Sequence, residues 1–480
     1  MHSVVVHAHF YQPPRENPWR DEVEEEPTAA PFHDWNERVT HECYRPFATA
    51  RLRDAAGRVQ GHVNLFEWAS FDAATTLLRW LEPNAPEVYR AILDGDRASV
   101  RRLRGHGNAI AMPYHHVILP LASRRDKVTE VRWGLADFRR RFGRGAEGLW
   151  LPETAVDEET LVVLAEEGVR FTVLAPHQVE PPPSGGAPLR FVAGGGRELA
   201  IFAYDGTLSP GVAFGRLVED GAELARHLAP PILDETASRD AFTLTTLAMD
   251  GETFGHHRKF AEMALARAVA LLLARPAVRI ENFAAVLARA PALVDARIVE
   301  GSSWSCPHGV ERWRADCGCR ATPGTSQAWR RPLRAALNWL ARELDHRFES
   351  EGATFFPDPW RVRDAFGAVA ALPRAARHAF AAARVRDGTD AERATRLLDG
   401  VSARLGMFGS CAWFFDDVAG HETVLMLRLA AYALELLGDD ALERGLLDRL
   451  AVAPANDAGA GDGAQVYRSR AHRSRAGTAA

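Results

Sequence analysis

The chain has almost no lysine: among 58 basic residues only Lys127 and Lys259 are lysines, and the rest are arginine. Its formal net charge of −5 leaves no positive excess for a phosphate backbone or an anionic bilayer to recognise. The arginines therefore read as a compositional habit, and neither nucleic acid nor a membrane is expected as a partner. Cysteine is scarce too. Five in 480 residues is an odd number that argues against a disulfide framework and for a reducing compartment. No apolar run approaches the ~20 residues that span a bilayer, and Met1-His2-Ser3-Val4 enters a strand pattern without signal-peptide character, so the expected location is cytoplasmic. What the chain does have is 47% hydrophobic residues, enough to bury a large core in two or three domains. Nothing in the pattern sets an oligomeric state.

Strand patterns cover residues 3–10, 63–66, 107–112, 149–151, 171–174, 199–203 and 243–249, mostly separated by helical patterns. Asp157 is placed to cap the helix that follows the fourth strand, and Gly168 to end it. Seven strands in this alternation imply an α/β fold, a (β/α)7 barrel-like catalytic domain over residues 1–290. Residues 180–196, rich in Pro and Gly, read as a surface excursion with at most a small hairpin. After that, Leu333, Leu337, Leu340, Leu344 and Phe348 recur at helical spacing, and helical patterns continue over 361–383, 390–405 and 423–450. An all-helical C-terminal domain over 291–450 is expected, followed by a disordered tail at 451–480.

The ends of the strands carry the chemistry. His7-Ala8-His9 alternates in the first strand, so both imidazoles face one side, beside Gln12 and Trp19 in a proline-punctuated loop. His116 follows the third strand, Trp150 and Glu153 close the fourth, and Asp205 ends the sixth. Asp250, Glu252 and His256 follow the seventh, where Gly251 and Gly255 supply backbone room. Two carboxyls from different strand ends facing one mouth are the minimum kit for glycoside hydrolysis, because burial and a like-charged neighbour separate their pKa values. Spacing alone does not make Glu153 and Asp250 face each other, and Glu252 could equally serve as a helix N-terminal charge.

His7-Ala8-His9 with Gln12-Pro13, then Trp150-Leu151-Pro152-Glu153, then Asp250-Gly251-Glu252-Thr253-Phe254-Gly255 resemble the successive motifs of glycoside hydrolase family 57, which includes α-amylases, 4-α-glucanotransferases and α-glucan branching enzymes. The resemblance covers about the first 290 residues. It implies a retaining, metal-free and cofactor-free mechanism on an α-glucan or oligosaccharide substrate, with Glu153 as nucleophile and Asp250 as general acid/base. The two carboxyls would then stand about 5 to 5.5 Å apart. His7, His9, Gln12, Trp19, His116, Trp150, Asp205, Glu252 and His256 are the expected substrate-binding residues. Phe10 and Tyr11 separate His9 from Gln12, where many members run His-Gln-Pro directly, and Asn108 stands where several transferases carry glutamate. Ser303-Trp304-Ser305-Cys306 and Ser410-Cys411-Ala412-Trp413-Phe414-Phe415 are similar to a less characterised subgroup, which leaves hydrolysis, transfer and branching open.

Two other functional classes fit the same residues. One is a metal-dependent hydrolase, a deacetylase or zinc glycosidase, with His7, His9 and an aspartate holding the ion. The other is a glycan-binding protein without turnover. Separately, Cys306, His308, Cys317 and Cys319 suffice for a tetrahedral zinc, but Cys-x-His with Cys-x-Cys is not a common finger spacing, and redox or buried-thiol roles weigh more on spacing alone.

Overall fold

The computed structural model describes residues 1–54, 56–230 and 242–472. The chain forms two compact units: Met1–Gln12, Glu25–Met112 and Phe138–Glu300 make the first, and Pro13–Glu24, Pro113–Asp137 and the chain from Gly301 onward make the second. This differs from a single cut near residue 290. Two segments that follow strand ends, where insertions are best tolerated, belong to the second unit.

In the first unit the strand His2–Phe10 lies between two parallel partners, Thr243–Asp250 and Ser70–Ala73. Val278–Ile280 pairs in parallel with its first residues. Parallel bridges Phe71 to Ala109, Ala111 to Leu149 and Gly148 to Phe171 continue the series, and Phe171–Leu174 pairs in parallel with Glu198–Ala203. The Asp205 N–H then donates to the Thr246 carbonyl at 2.8 Å. Val4, Val5, Val6 and Ala8 are all buried, as expected of a parallel sheet covered on both faces.

The second expected strand is displaced. Residues Val59–Val63 belong to an antiparallel hairpin with Ala50–Arg53, and Leu65–Glu67 is a 3-10 turn whose Phe66 N–H donates to the Asn64 side chain. A local side-chain bond of this kind competes with the extended ladder. The strand beside His2–Phe10 is instead Ser70–Ala73, whose alternating polar residues hide it from a search for apolar runs. Residues 107–112 and 149–151 are extended but held by single bridges instead of ladders. Glu158–Glu166 is capped by Asp157, whose carboxylate accepts from Thr160 N–H, and Gly168 beyond it has φ 80°. The excursion at 180–196 holds one hairpin arm, Leu189–Val192, antiparallel to Glu198–Ala203.

In the second unit Arg330–Phe355 buries the stripe Leu333, Leu337, Leu340, Leu344 and Phe348. The pattern at 361–383 resolves into two helices, Pro359–Phe366 and Arg374–Ala382, with Pro373 capping the second. The pattern at 423–450 likewise divides into His421–Leu437 and Asp440–Leu450, where Gly438 ends one and the Asp439 side chain caps the next. The expected disordered tail is folded as far as the description extends. It forms a short helix at Gly463–Val466, and the buried Tyr467 donates its hydroxyl to Glu443 at 3.0 Å. A few apolar anchors, Val466, Tyr467 and Ala471, dock a segment whose composition otherwise reads as linker; residues 473–480 lie outside the described residues. Among the described residues no helix is long and apolar enough to cross a membrane.

Candidate active site

The site is built on strand register. In the parallel ladders His9 is the partner of Asp250 on one side and of Asp72 on the other, so three adjacent strands present Asp72, His9 and Asp250 in one row at their carboxyl ends. Two residues earlier, His7 pairs with Ser70 and points to the same side. Asp72 binds both histidines: its Oδ1 is 3.1 Å from His7 Nε2 and its Oδ2 is 2.7 Å from His9 Nδ1. His7 Nδ1 meets Ser70 Oγ at 3.1 Å. Both ring nitrogens of His7 are thus engaged. Trp150, fully buried, stacks on both imidazoles, with ring centroids 4.7 Å from His7 and 5.5 Å from His9.

Charge within the row is graded. Burial lowers the proton affinity of His7 despite its bond to Asp72. Burial also opposes the charged form of His9, but the Asp72, Asp250 and Glu252 carboxylates outweigh it and raise His9 to about 9. Asp250 is exposed at its strand end yet crowded by surrounding protein. That crowding pushes its carboxyl up to about 6; His9 opposes the shift, and the charges of Glu153 and Asp72 add to it. The Glu153 charge therefore reaches Asp250, although 97 positions separate them in the sequence. Glu252 is raised to about 7, first by burial, while the Tyr44 hydroxyl, which donates to it at 2.6 Å, works the other way. Tyr204 is raised to about 12 by burial and by the Asp250 charge.

Glu153 sits on a constrained turn. Its φ is 58° and that of Thr154 is 46°, both in the left-handed region that non-glycine residues rarely occupy. The buried Gln178 clamps this turn. Its Oε1 accepts from Thr154 Oγ1 and from the Ala175 N–H, each at 2.8 Å, and its Nε2 donates to the Thr154 carbonyl at 2.9 Å. Backbone held in a costly conformation by surrounding bonds recurs at functional sites.

The remaining expected residues fall in different places. Glu252 is bound by the Tyr11 N–H at 3.2 Å and by Tyr44, whose hydroxyl in turn accepts from Gln12 Nε2 at 3.1 Å. Gln12 thus lies behind Tyr44, in a chain leading to Glu252. His256 turns to Glu42 at 2.5 Å and to the edge of Trp35. Asp205 is a turn cap, its Oδ1 accepting from Thr207 and Leu208 N–H, each at 2.8 Å. Trp19 and His116 belong to the second unit: Trp19 donates to Glu435 at 2.6 Å, and His116 Nδ1 lies 2.6 Å from Ser410 Oγ. The Gly251 and Gly255 expectations hold sterically, since a Cβ would come within 2.1 Å of the Phe10 ring and of the Glu42 carbonyl respectively. Asn108 is a structural tie, donating to the Phe66 and Glu67 carbonyls and accepting from Asn282. Asp72, Ser70, Tyr44 and Gln178 are not among the residues the sequence points to. The i, i+2 spacing of Ser70 and Asp72, which repeats that of His7 and His9, is the signal that could have found two of them.

Residues 5–281 match the family model described as glycosyl hydrolase family 57, and residues 326–479 match a domain of unknown function, DUF3536. Alpha-amylase 1 of Dictyoglomus thermophilum is 25% identical over 195 residues, 37% of this chain and 24% of that protein. The 4-alpha-glucanotransferase of Thermococcus litoralis is 25% identical over 185 residues, 37% of this chain and 25% of that protein. The chain thus spans about a quarter of the length of these relatives. Among solved structures, an exo-type maltose-forming amylase from Pyrococcus sp. ST04 superposes with a TM-score of 0.68 at 15% identity, covering 94% of this chain and 83% of that one. A GH57-type branching enzyme from Pyrococcus horikoshii gives 0.53 at 15% identity, covering 93% and 94%.

Proposed function

Since the chain belongs to glycosyl hydrolase family 57, we propose that it is a retaining enzyme acting on α-glucan or maltooligosaccharide, with Glu153 as nucleophile and Asp250 as general acid/base. The parallel series of the first unit is read as a closed (β/α)7 barrel with these groups at its mouth. The observation that carries the reading is the row Asp72, His9 and Asp250, with Glu153 close enough to raise the proton affinity of Asp250.

Asp250 holds a proton at mildly acidic pH and gives it to the glycosidic oxygen as the bond to the anomeric carbon breaks. A Glu153 carboxylate oxygen bonds that carbon, forming a glycosyl-enzyme. Asp250, now a carboxylate stabilised by cationic His9, takes a proton from water or from a sugar hydroxyl, whose oxygen displaces Glu153. Asp72 balances the charge of His9 and fixes its ring, and Trp150 packs behind both imidazoles.

The test is incubation with maltoheptaose and with amylose, followed by chromatography of chain lengths and linkages. Shorter products alone mean hydrolysis, a spread to longer chains means transfer, and new α-1,6 linkages mean branching. Glu153→Gln and Asp250→Asn should each lower turnover roughly 10³-fold or more with unchanged thermal unfolding. Near-normal turnover in either variant sinks the assignment, and tight oligosaccharide binding with no product from the wild type would make the protein a glycan binder.

A further inference from the structure

Among the described residues, Cys306, His308, Cys317 and Cys319 bring four ligand atoms within 4.8 Å of one another. Cys306 Sγ is 3.9 Å from each of Cys317 Sγ, Cys319 Sγ and His308 Nδ1, and Cys319 Sγ is 3.6 Å from the same nitrogen. These separations have a definite chemical meaning. A disulfide requires sulfurs about 2.05 Å apart, whereas a tetrahedral ion with bonds of about 2.3 Å to sulfur sets its ligands on edges of about 3.8 Å. Four of the six separations match the edges of such a tetrahedron, and the other two lie within 4.8 Å.

The backbone is shaped to the same end. Gly318, at φ 80°, turns the chain between Cys317 and Cys319 so that both sulfurs approach Cys306, and its N–H is held by Asp316. Gly309, just after His308, has φ 72° and leaves no room for a Cβ beside the Gly301 carbonyl. From residue 301 to 329 the chain has a single 3-10 turn, Glu311–Trp313, as regular structure, yet Trp313 and Trp329 are fully buried. A connection this long without helices or strands needs another source of order. Arg330 and Arg334 tie it to the helix Arg330–Phe355, donating to the Cys319 carbonyl at 2.9 Å and the Trp313 carbonyl at 2.8 Å.

We infer that Cys306, His308, Cys317 and Cys319 form a structural zinc site that organises the segment 301–329 of the second unit. Three thiolates and one imidazole in a closed tetrahedron favour zinc among the common divalent ions, and all four positions are filled by protein, which marks the site as structural and not catalytic. The inference stands on this geometry alone and is independent of the glycosidase proposal.

The test is metal analysis of the purified full chain after exhaustive dialysis. One zinc per chain is expected, and a mercurial titration of the wild type should release it in step with modification of three thiols. Cobalt substitution should give thiolate-to-cobalt charge-transfer bands together with tetrahedral d–d bands. Cys319→Ser and His308→Ala should lower zinc content and thermal stability. Zinc far below stoichiometry after expression in zinc-supplemented medium, iron in its place, or a disulfide joining Cys306 to Cys317 or Cys319 in peptide mapping overturns the inference. Full zinc retention in both variants does so as well.

Discussion

At the scale of single residues, His9 sets the working pH of its neighbour. Its cation favours the ionised form of Asp250, while Glu153 and Asp72 favour the protonated form. Replacing His9 by asparagine removes the one opposing charge and leaves Asp72 with His7 as its remaining imidazole partner, so both effects point the same way. The proton affinity of Asp250 then rises above its present level of about 6, and the acid stays protonated to higher pH. In His9→Asn the alkaline limb of the kcat/KM profile should move upward, together with a loss of maximal rate. A limb that stays in place or moves down refutes this coupling. Because Asp250 and Glu252 interact, the limb reports the pair and not one carboxyl.

At the scale of elements, the turn 152–154 depends on Gln178, which reaches it from 24 positions further along the chain, makes two hydrogen bonds to Thr154 and is itself fixed by the Ala175 N–H. The two left-handed residues each cost on the order of 1–3 kcal/mol, and the clamp offsets part of that. Gln178→Ala should lower stability by about 1–3 kcal/mol, since it strips partners from buried backbone groups. It should also let the Glu153 carboxyl drift, lowering kcat roughly 10- to 100-fold with KM little changed. Steady-state kinetics beside thermal unfolding separates the two effects. A stability loss without the kcat loss would show that the clamp does not position the nucleophile.

At the scale of the whole molecule, buried charge fastens the helical unit. Asp126 accepts from Arg363 at 2.9 Å and from Arg404 at 2.8 Å, and Arg404 also donates to Asp345 at 2.6 Å. Burial alone would raise the Asp126 carboxyl, but the two guanidinium groups outweigh it and hold it below the usual carboxylate value of 3.8. A lowered folded-state pKa means that the contribution is complete above that ordinary value and is lost as pH falls through the folded-state one. The helical unit should therefore be acid-labile below about pH 4. Asp126→Ala, which leaves two buried arginines without their shared partner, should cost about 3–5 kcal/mol by calorimetry at neutral pH. A change under about 1 kcal/mol would mean that water or Asp345 already balances the arginines.

The amino-acid sequence by itself determined the kinds of chemistry present and most of the elements. The spacing in His7-Ala8-His9 placed two imidazoles on one side of a strand, the leucine stripe of Arg330–Phe355 announced a buried helical face, and Asp157 marked a helix start. These features are local: the period of a strand or helix and the reach of a cap are set by residues two to four positions apart. Only the tertiary structure decided which strand lies beside which, and with what register. Asp72 entered the row because Ser70–Ala73, and not residues 63–66, pairs with His2–Phe10; a polar strand buried among parallel neighbours has no apolar signature to read. The fates of Trp19, His116 and His256 and the Gln178 clamp were decided at the same level. Such contacts join residues tens or hundreds of positions apart, and nothing in local spacing encodes which distant partner closes them.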